Sequence, residues 1–267
     1  ARIIAHPPSE ELAAARQRLH PDRIARIQME ERPGQPDRLI AFSHRALARQ
    51  AQALAAVWPF LAMPGCAGLA LPKDWSQAQT GLVLLHLALM RGVPVHCGHA
   101  RRAVRDQATI LAAAPDDFLD WADAPDADLR LASADALIAL GGAIPPDAAD
   151  RLSRIALAAR GDVPPMLALW GPAEAGGAAF AVHWLAAAEG SIGLPLPGFA
   201  ARLVPSAATG LYALDLAGPG LGAGIWRGDG VDPFPLDSDG FLETKPALEA
   251  VRASDWSQGL RSAGRFA

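Results

Sequence analysis

The chain has 267 residues, of which 51% are hydrophobic and 19% charged. This balance excludes a disordered polar chain, and the length suits roughly two domains. A net charge of −4 lacks the basic field of a nucleic-acid-binding protein. The two cysteines, Cys66 and Cys97, are too few for a disulfide framework, and no stretch reads as a secretion signal or a membrane span. We therefore expect a cytoplasmic protein that binds neither nucleic acid nor membrane.

The N-terminal region predicts one helix and then loops. Ser9 can cap a helix that continues to about Leu19, and the prolines and the glycine of residues 21–36 predict loops after it. Residues 39–42 (LIAF) then predict a short strand. Ser43 is placed to cap the next helix, which Pro59 ends.

A strand–helix–strand unit is predicted over residues 66–97. Apolar runs at 66–71 and 93–97 predict two strands, and the segment between them predicts a helix from Ser76 to Arg91, stopped by Gly92. Because this helix is apolar nearly all round, we expect it to be buried on more than one side. A helix of this length between two strands is typical of a parallel pair.

Residues 101–128 predict a helix followed by a linker. The helix is predicted over 101–114, and the acidic stretch Asp116–Asp128, with six aspartates, predicts a solvated loop. A calcium-binding loop of the EF-hand type is excluded because the glycine and the ligand spacing are missing. This stretch is our candidate border between domains.

A second set of strand–helix units follows the acidic stretch. The apolar run 136–140 predicts a strand that ends at Gly141-Gly142, followed by a helix that opens with Pro145-Pro146 and closes at Gly161. The run 166–170 predicts a further strand, which ends in a glycine-rich turn over 171–177. A helix is predicted from Ala178 to Glu189.

These elements predict an α/β fold with a mostly parallel, Rossmann-like sheet and helices on both faces. Beyond Gly190, short apolar runs alternate with glycine and proline, which indicates a β-rich or irregular C-terminal extension, with one last helix over 246–253. The expected domains are an N-terminal half (1–115), a second half (116–190) and the extension (191–267).

Two glycine turns are the candidate ligand site. Each follows a predicted parallel strand and precedes a predicted helix, where backbone N–H groups and the start of a helix can bind an anion or a nucleotide. The candidate ligand-binding residues are Gly141, Gly142, Gly171, Glu174, Gly176 and Gly177. The alternative is that glycine only permits tight turns at these positions.

Three resemblances bear on this site. Residues 135–142 (DALIALGG) resemble the strand and turn of the lysine-decarboxylase-like phosphoribohydrolases, and residues 71–95 are similar to nucleoside deoxyribosyltransferase relatives. Both resemblances imply a Rossmann-like nucleotide-processing protein, but the glutamates those families use are missing here. Residues 171–178 resemble a phosphate-binding P-loop in which Gly177 and Ala178 replace the lysine and the Ser or Thr.

The densest group of metal-capable side chains is His96, Cys97 and His99. Zinc takes three or four ligands, and alternation along a strand sends His96 and Cys97 to opposite faces. We therefore expect no metal and a buried, structural Cys97, while metal binding by these three residues stays open.

The sequence therefore predicts a protein that binds a nucleotide or another phosphate-bearing small molecule at its glycine turns. No catalytic motif is intact, so catalytic residues and cofactors stay unassigned. The alternative is a non-catalytic structural or interaction subunit on a degenerate α/β scaffold, with a protein partner or a second copy of itself.

Overall fold

The computed structural model describes residues 9–32, 34–62, 68–72, 79–97, 108–183, 191–206, 210–252 and 255–265. At its centre lies a seven-stranded sheet. Its strands, in spatial order, are β4 (Val95–Cys97), β3 (Leu69–Leu71), β5 (Ile110–Ala113), β6 (Ala136–Leu140), β7 (Met166–Trp170), β8 (Phe180–Ala181) and β9 (Leu194–Pro195). The first five are parallel, and β8 and β9 continue the sheet in antiparallel fashion.

Helices cover both faces of this sheet. On one face lie α2 (His44–Val57) and α3 (Gln79–Arg91), packed on side chains such as Ile110 and Ile138. The opposite face carries α4 (Asp117–Ala122), α5 (Ala127–Ala132) and α6 (Pro146–Arg160), packed on Leu111 and Leu137. Successive strand residues point to opposite faces, so the continuous apolar strands fill two cores.

Two antiparallel sheets flank the central one. The first pairs β1 (Ile24–Glu30), β2 (Arg38–Ser43), β12 (Gly224–Trp226) and β13 (Val231–Pro233) in that order. The second pairs β10 (Ala200–Pro205), β11 (Tyr212–Ala217), β14 (Leu242–Arg252) and β15 (Asp255–Arg265). The first helix among the described residues is the short α1 (Glu10–Gln17). The predicted α/β class is confirmed, and the flanking antiparallel sheets make the Rossmann-like label a loose one.

Several local predictions are confirmed. The Ser43 hydroxyl accepts a hydrogen bond from the Ala46 N–H at 3.1 Å and so caps α2. Gly161, at φ +86°, ends α6 in the left-handed conformation. The strand–helix–strand unit β3–α3–β4 is parallel as predicted.

Other local predictions are wrong. The acidic stretch predicted as a loop forms α4 and α5, and the end of the helix predicted over 101–114 forms β5. Strand β8 lies inside the helix predicted from Ala178, and β14 replaces the helix predicted over 246–253. Strand β1 occupies a region predicted to be a loop. Strand β5 pairs with β3 and β6, and β14 pairs with β11, so tertiary strand pairing overrides the local helix preference of these two segments.

The proposed border near residue 116 lies between two strands of the central sheet, and the division into domains stays a prediction. Strands β5 and β6, which lie on either side of residue 116, pair in parallel from Ile110 with Ala136 to Ala113 with Ala139.

In the described part of the chain, no helix is both long enough and apolar enough to cross a bilayer.

Candidate functional site

The turn over residues 171–177 follows β7 at the carboxyl end of the parallel strands. It contains one 3₁₀ turn, Ala173–Ala175, and returns the chain to β8. A Cβ on Gly171 would lie 2.6 Å from the Ala179 backbone nitrogen, and one on Gly177 (φ +82°) would lie 2.7 Å from the Thr80 backbone nitrogen. These glycines are therefore required by close backbone packing within the protein.

Two side chains from the covering helices hold this turn in place. The Gln50 amide, on α2, donates to the carbonyl oxygens of Ala175 at 2.9 Å and of Gly220 at 2.6 Å. The Thr80 hydroxyl, at the start of α3, donates to the Gly177 carbonyl at 3.1 Å. Both side chains are buried, so the turn is fixed from two sides.

Glu174, the acidic residue of the turn, is engaged by Arg38 of β2. The Arg38 guanidinium donates to Glu174 Oε1 and, at 2.6 Å from Nε, to Glu30 Oε2. Glu30 and Arg38 face each other across β1 and β2, and both carboxylates are buried. Burial lowers the pKa of Arg38, but the carboxylates of Glu174 and then Glu30 more than offset this, so its pKa is raised. Glu174 is thus bound to a resident cation.

The backbone N–H groups of the turn are mostly used within it. Gly176 donates to the Ala173 carbonyl at 2.9 Å, and Gly177 donates to the Pro172 carbonyl at 3.1 Å. These two N–H groups are therefore not free to bind a phosphate. The assignment of Gly171, Glu174, Gly176 and Gly177 as ligand-binding residues stays a prediction.

A cavity of about 340 Å³ opens beside the first half of this turn. Its apolar wall is formed by Trp170, Pro172, Ala173 and, from β14, Pro246. The remaining residues that line it are Gly171, Glu30, Glu31, Gln79 and Ser262. None of these lining residues is basic, and Glu30 and Glu31 are acidic, so the cavity disfavours a bare phosphate.

The other glycine turn is separate from this cavity. The Gly141 N–H donates to the Leu169 carbonyl at 2.8 Å, and a Cβ on Gly142 would lie 3.0 Å from the Pro115 side chain. Neither Gly141 nor Gly142 lines the cavity beside the turn over residues 171–177. The two predicted turns therefore do not line the same cavity. Ligand binding by Gly141 and Gly142 also stays a prediction.

The predicted histidine and cysteine group is only partly described, because His99 lies outside the described residues. His96 packs over Gly68, where an added Cβ would lie 2.9 Å from its Nε2. Cys97 is exposed, so the expectation of a buried, structural cysteine is wrong. Among the described residues, no three His, Cys, Asp or Glu side chains converge to hold a metal ion.

Sequence reasoning missed Arg38 and Gln50, the residues that fix the turn. Gln50 lies on the same helical face as Leu47 and Leu54. A polar residue at this core-facing position could have been predicted from the sequence to form a buried hydrogen bond. Arg38 carried no such signal, because its partner Glu174 lies far along the chain.

No family model matches this sequence, and no curated protein matches it. Solved structures do match it in fold. A malonyl-CoA ligase in a ternary product complex with methylmalonyl-CoA and AMP is 26% identical, with a TM-score of 0.72 over 93% of this chain. ATP-bound MatB from Rhodopseudomonas palustris is 19% identical (TM-score 0.69, 92% of this chain), and AMP-bound O-succinylbenzoate coenzyme A synthetase from Bacillus subtilis is 14% identical (TM-score 0.69, 93% of this chain).

The chain has the fold of the large domain of adenylate-forming enzymes. It covers 54%, 49% and 63% of the lengths of those three chains. This match overturns the resemblances to the phosphoribohydrolases and the deoxyribosyltransferases, which rested on short glycine-bearing strands that several parallel-sheet folds share.

Proposed function

We propose that this chain binds the adenosine part of a nucleotide in the cavity beside Gly171–Ala173, without catalysing adenylate transfer. The observation that carries the proposal is the position of that cavity at the carboxyl end of β7, where open α/β sheets bind their ligands. The fold match supports it, because the matching structures hold AMP or ATP. The apolar wall around Trp170 suits a purine ring.

The use of the charges of the turn supports the proposed absence of catalysis. Arg38 is engaged by two carboxylates, and Glu174 is not among the residues that line the cavity. Glu30 and Glu31 do line it and would repel a polyphosphate. We therefore expect adenosine to bind best, AMP less well, and ATP about tenfold more weakly than adenosine, a difference of about 1.4 kcal/mol.

Isothermal titration of adenosine, AMP and ATP into the full chain tests this order. Ser262 lines the cavity and is exposed, so Ser262→Trp should narrow the opening and abolish adenosine binding without disturbing the core. Ser238→Trp, at an exposed serine outside the cavity, is the matched control and should bind like the wild type. Undetectable adenosine binding, or binding unchanged by Ser262→Trp, would refute the proposal.

A second candidate function is self-association through the first antiparallel sheet. Strand β1 is the edge of that sheet, and Ile27, Met29 and Leu39 expose apolar side chains on its outer face. Met29 and Leu39 pair directly across β1 and β2, so the patch is continuous. A second copy could pair with this edge about a twofold axis.

Light scattering decides this alternative. A wild-type dimer that becomes a monomer in Met29→Lys, which places a charge on the edge strand, would support it. A monomeric wild type would exclude it. The adenosine titration is unaffected by either result, so the two functions are tested separately.

A further inference from the structure

Another cavity, of about 450 Å³, opens beside the N-terminal half of α2. Its apolar side chains are Leu19, Pro21 and Ala48, and its polar side chains are His20, His44, Arg45, Arg49 and Gln52. We call it the α2 groove. None of these lining residues is acidic, whereas the lining of the cavity beside Gly171 includes two carboxylates and no basic residue. The α2 groove is therefore suited to a negatively charged partner.

The positive charge of the α2 groove is only partly cancelled. Asp22 accepts hydrogen bonds from the Arg45 guanidinium, at 2.7 Å from Nε and at 3.0 Å from Nη2. Arg49 is exposed and forms no ion pair within the described residues. Its Nη1 donates to the neutral Gln52 amide oxygen at 3.5 Å, which leaves the charge in place. Arg49 is therefore available to a carboxylate from outside the chain.

Neighbouring arginines extend this positive surface. The Arg23 carbonyl accepts a hydrogen bond from the His44 N–H at 3.1 Å, which places Arg23 at the start of α2. The Leu19 N–H donates to the Arg16 carbonyl at 3.2 Å, and Arg18 lies between them in the chain. The side chains of Arg16, Arg18 and Arg23 are exposed and form no ion pair in the described part of the chain. This region is thus positive in a chain whose net charge is −4.

An acidic surface lies on the opposite face of the central sheet. Helices α4 and α5 carry Asp120 and Asp128, which are exposed and form no ion pair with any described residue. Leu129, directly after Asp128, is 67% exposed. We call Asp120, Asp128 and Leu129 the α4–α5 surface. It combines uncancelled carboxylates with an exposed apolar side chain, whereas the α2 groove combines uncancelled arginine with Leu19, which is 55% exposed.

We propose that the α2 groove binds the α4–α5 surface of a second copy of this chain. Asp120 and Asp128 supply the negative charge that balances Arg49 and the arginines beside it. Opposite charges speed the encounter of two surfaces and fix their orientation. Leu129 supplies an apolar group for the apolar side of the groove, and removing both leucines from water adds to the affinity.

This contact joins two different surfaces, so it is heterologous and no twofold axis relates the two copies. A pair of copies retains one free α2 groove and one free α4–α5 surface, which can bind further copies. Growth beyond the dimer distinguishes this contact from the pairing of two β1 edges, which stops at the dimer.

Sedimentation velocity of the full chain at about 20 mM and about 0.5 M NaCl tests the contact, because the Debye length shortens from about 20 Å to about 4 Å over this range. At low salt the wild type should form species larger than a dimer, and these should dissociate at high salt. Met29→Lys, on the β1 edge, should leave the low-salt species unchanged. A wild type that is monomeric at low salt, stops at the dimer or keeps its larger species at high salt would overturn the proposal.

Charge reversal on either surface should break the contact. Arg49→Glu and Asp128→Lys should each weaken the low-salt association at least about tenfold, since each brings like charges together. The matched controls are Arg227→Glu and Asp229→Lys, which lie at exposed positions between β12 and β13. They change the net charge by the same amounts and should associate like the wild type. Equal losses in the controls would show a general charge effect and refute the contact.

An equimolar mixture of Arg49→Glu and Asp128→Lys tests whether the two surfaces meet. The first variant keeps the α4–α5 surface and the second keeps the α2 groove, so the mixture should regain association that neither variant shows alone. All the substituted side chains are exposed, so the variants should fold like the wild type. A mixture that sediments like its separate components would contradict the proposal. None of these positions lines the cavity beside Gly171, so the adenosine titration is independent of the outcome.

Discussion

The two glycine turns of the central sheet look alike in sequence but differ in structure. Both follow a buried parallel strand, after β6 and after β7. A Cβ added to Gly141 would meet no atom within 4 Å, whereas one added to Gly171 or Gly177 would meet backbone atoms within 3 Å. The glycine pattern therefore predicts the position of a turn correctly. The elements that pack on the turn decide whether it can form part of a binding site.

The largest loss of stability that tests this comparison is expected on substitution of Gly177. In Gly177→Ala the new methyl group must adopt a left-handed conformation and also approach the Thr80 backbone nitrogen at 2.7 Å. We expect a loss of about 4 kcal/mol in the free energy of unfolding, because backbone strain and overpacking act together. Urea denaturation monitored by tryptophan fluorescence measures this loss.

Gly141→Ala is the matched control for that variant. It imposes a similar strain at φ +88° but meets open space, so we expect a loss of only about 1 to 2 kcal/mol. If the two variants lose the same stability, the contrast between the packed turn and the open turn is wrong.

The next effect concerns the ion pairs that bind the packed turn. Arg38→Met leaves the carboxylates of Glu30 and Glu174 buried without their cation. We expect a loss of about 3 kcal/mol, since removing one partner of a buried pair costs more than the pair contributes. Urea denaturation gives the value, at the same pH for all variants.

A double-mutant cycle separates this effect from lost packing. Adding Glu174→Gln to Arg38→Met removes one of the stranded charges, so the double variant should be more stable than the sum of the two single losses predicts. Strictly additive losses would show that Arg38 and Glu174 do not interact. Arg26→Met has no carboxylate to strand, so it should cost less than Arg38→Met.

The regular parts of the fold could be predicted because several local signals agree there. Strand β6, helix α6 and strand β7 combine continuous apolar runs with proline at the helix start and glycine at its end. The helix predicted over residues 246–253 was wrong because proline, alanine, leucine and glutamate favour the start of a helix. Ala213 pairs with Ala247 across β11 and β14, and this distant pairing decides the conformation.

The candidate site was predictable only in position. The turn after β7 was found because glycine follows an apolar strand. Its Arg38–Glu174 ion pair joins residues that no local pattern connects, so this pair could not be predicted from the sequence. The position of the Arg26 guanidinium over the Phe42 ring and beside Gly176 depends in the same way on elements that are distant in the sequence.

The smallest predicted effect is a pH dependence that arises behind the packed turn. Because burial and Arg26 lower the pKa of His86 in the folded state, the unfolded chain binds the proton more readily. Stability should therefore fall as the pH decreases below about 6.5, the ordinary value for histidine, by less than about 1 kcal/mol for this partly exposed group. His86→Gln removes the titrating group, so its free energy of unfolding should fall less than that of the wild type between pH 7 and pH 5.5. Parallel pH profiles for the two proteins, measured by urea denaturation, would show that the pKa of His86 is not lowered on folding.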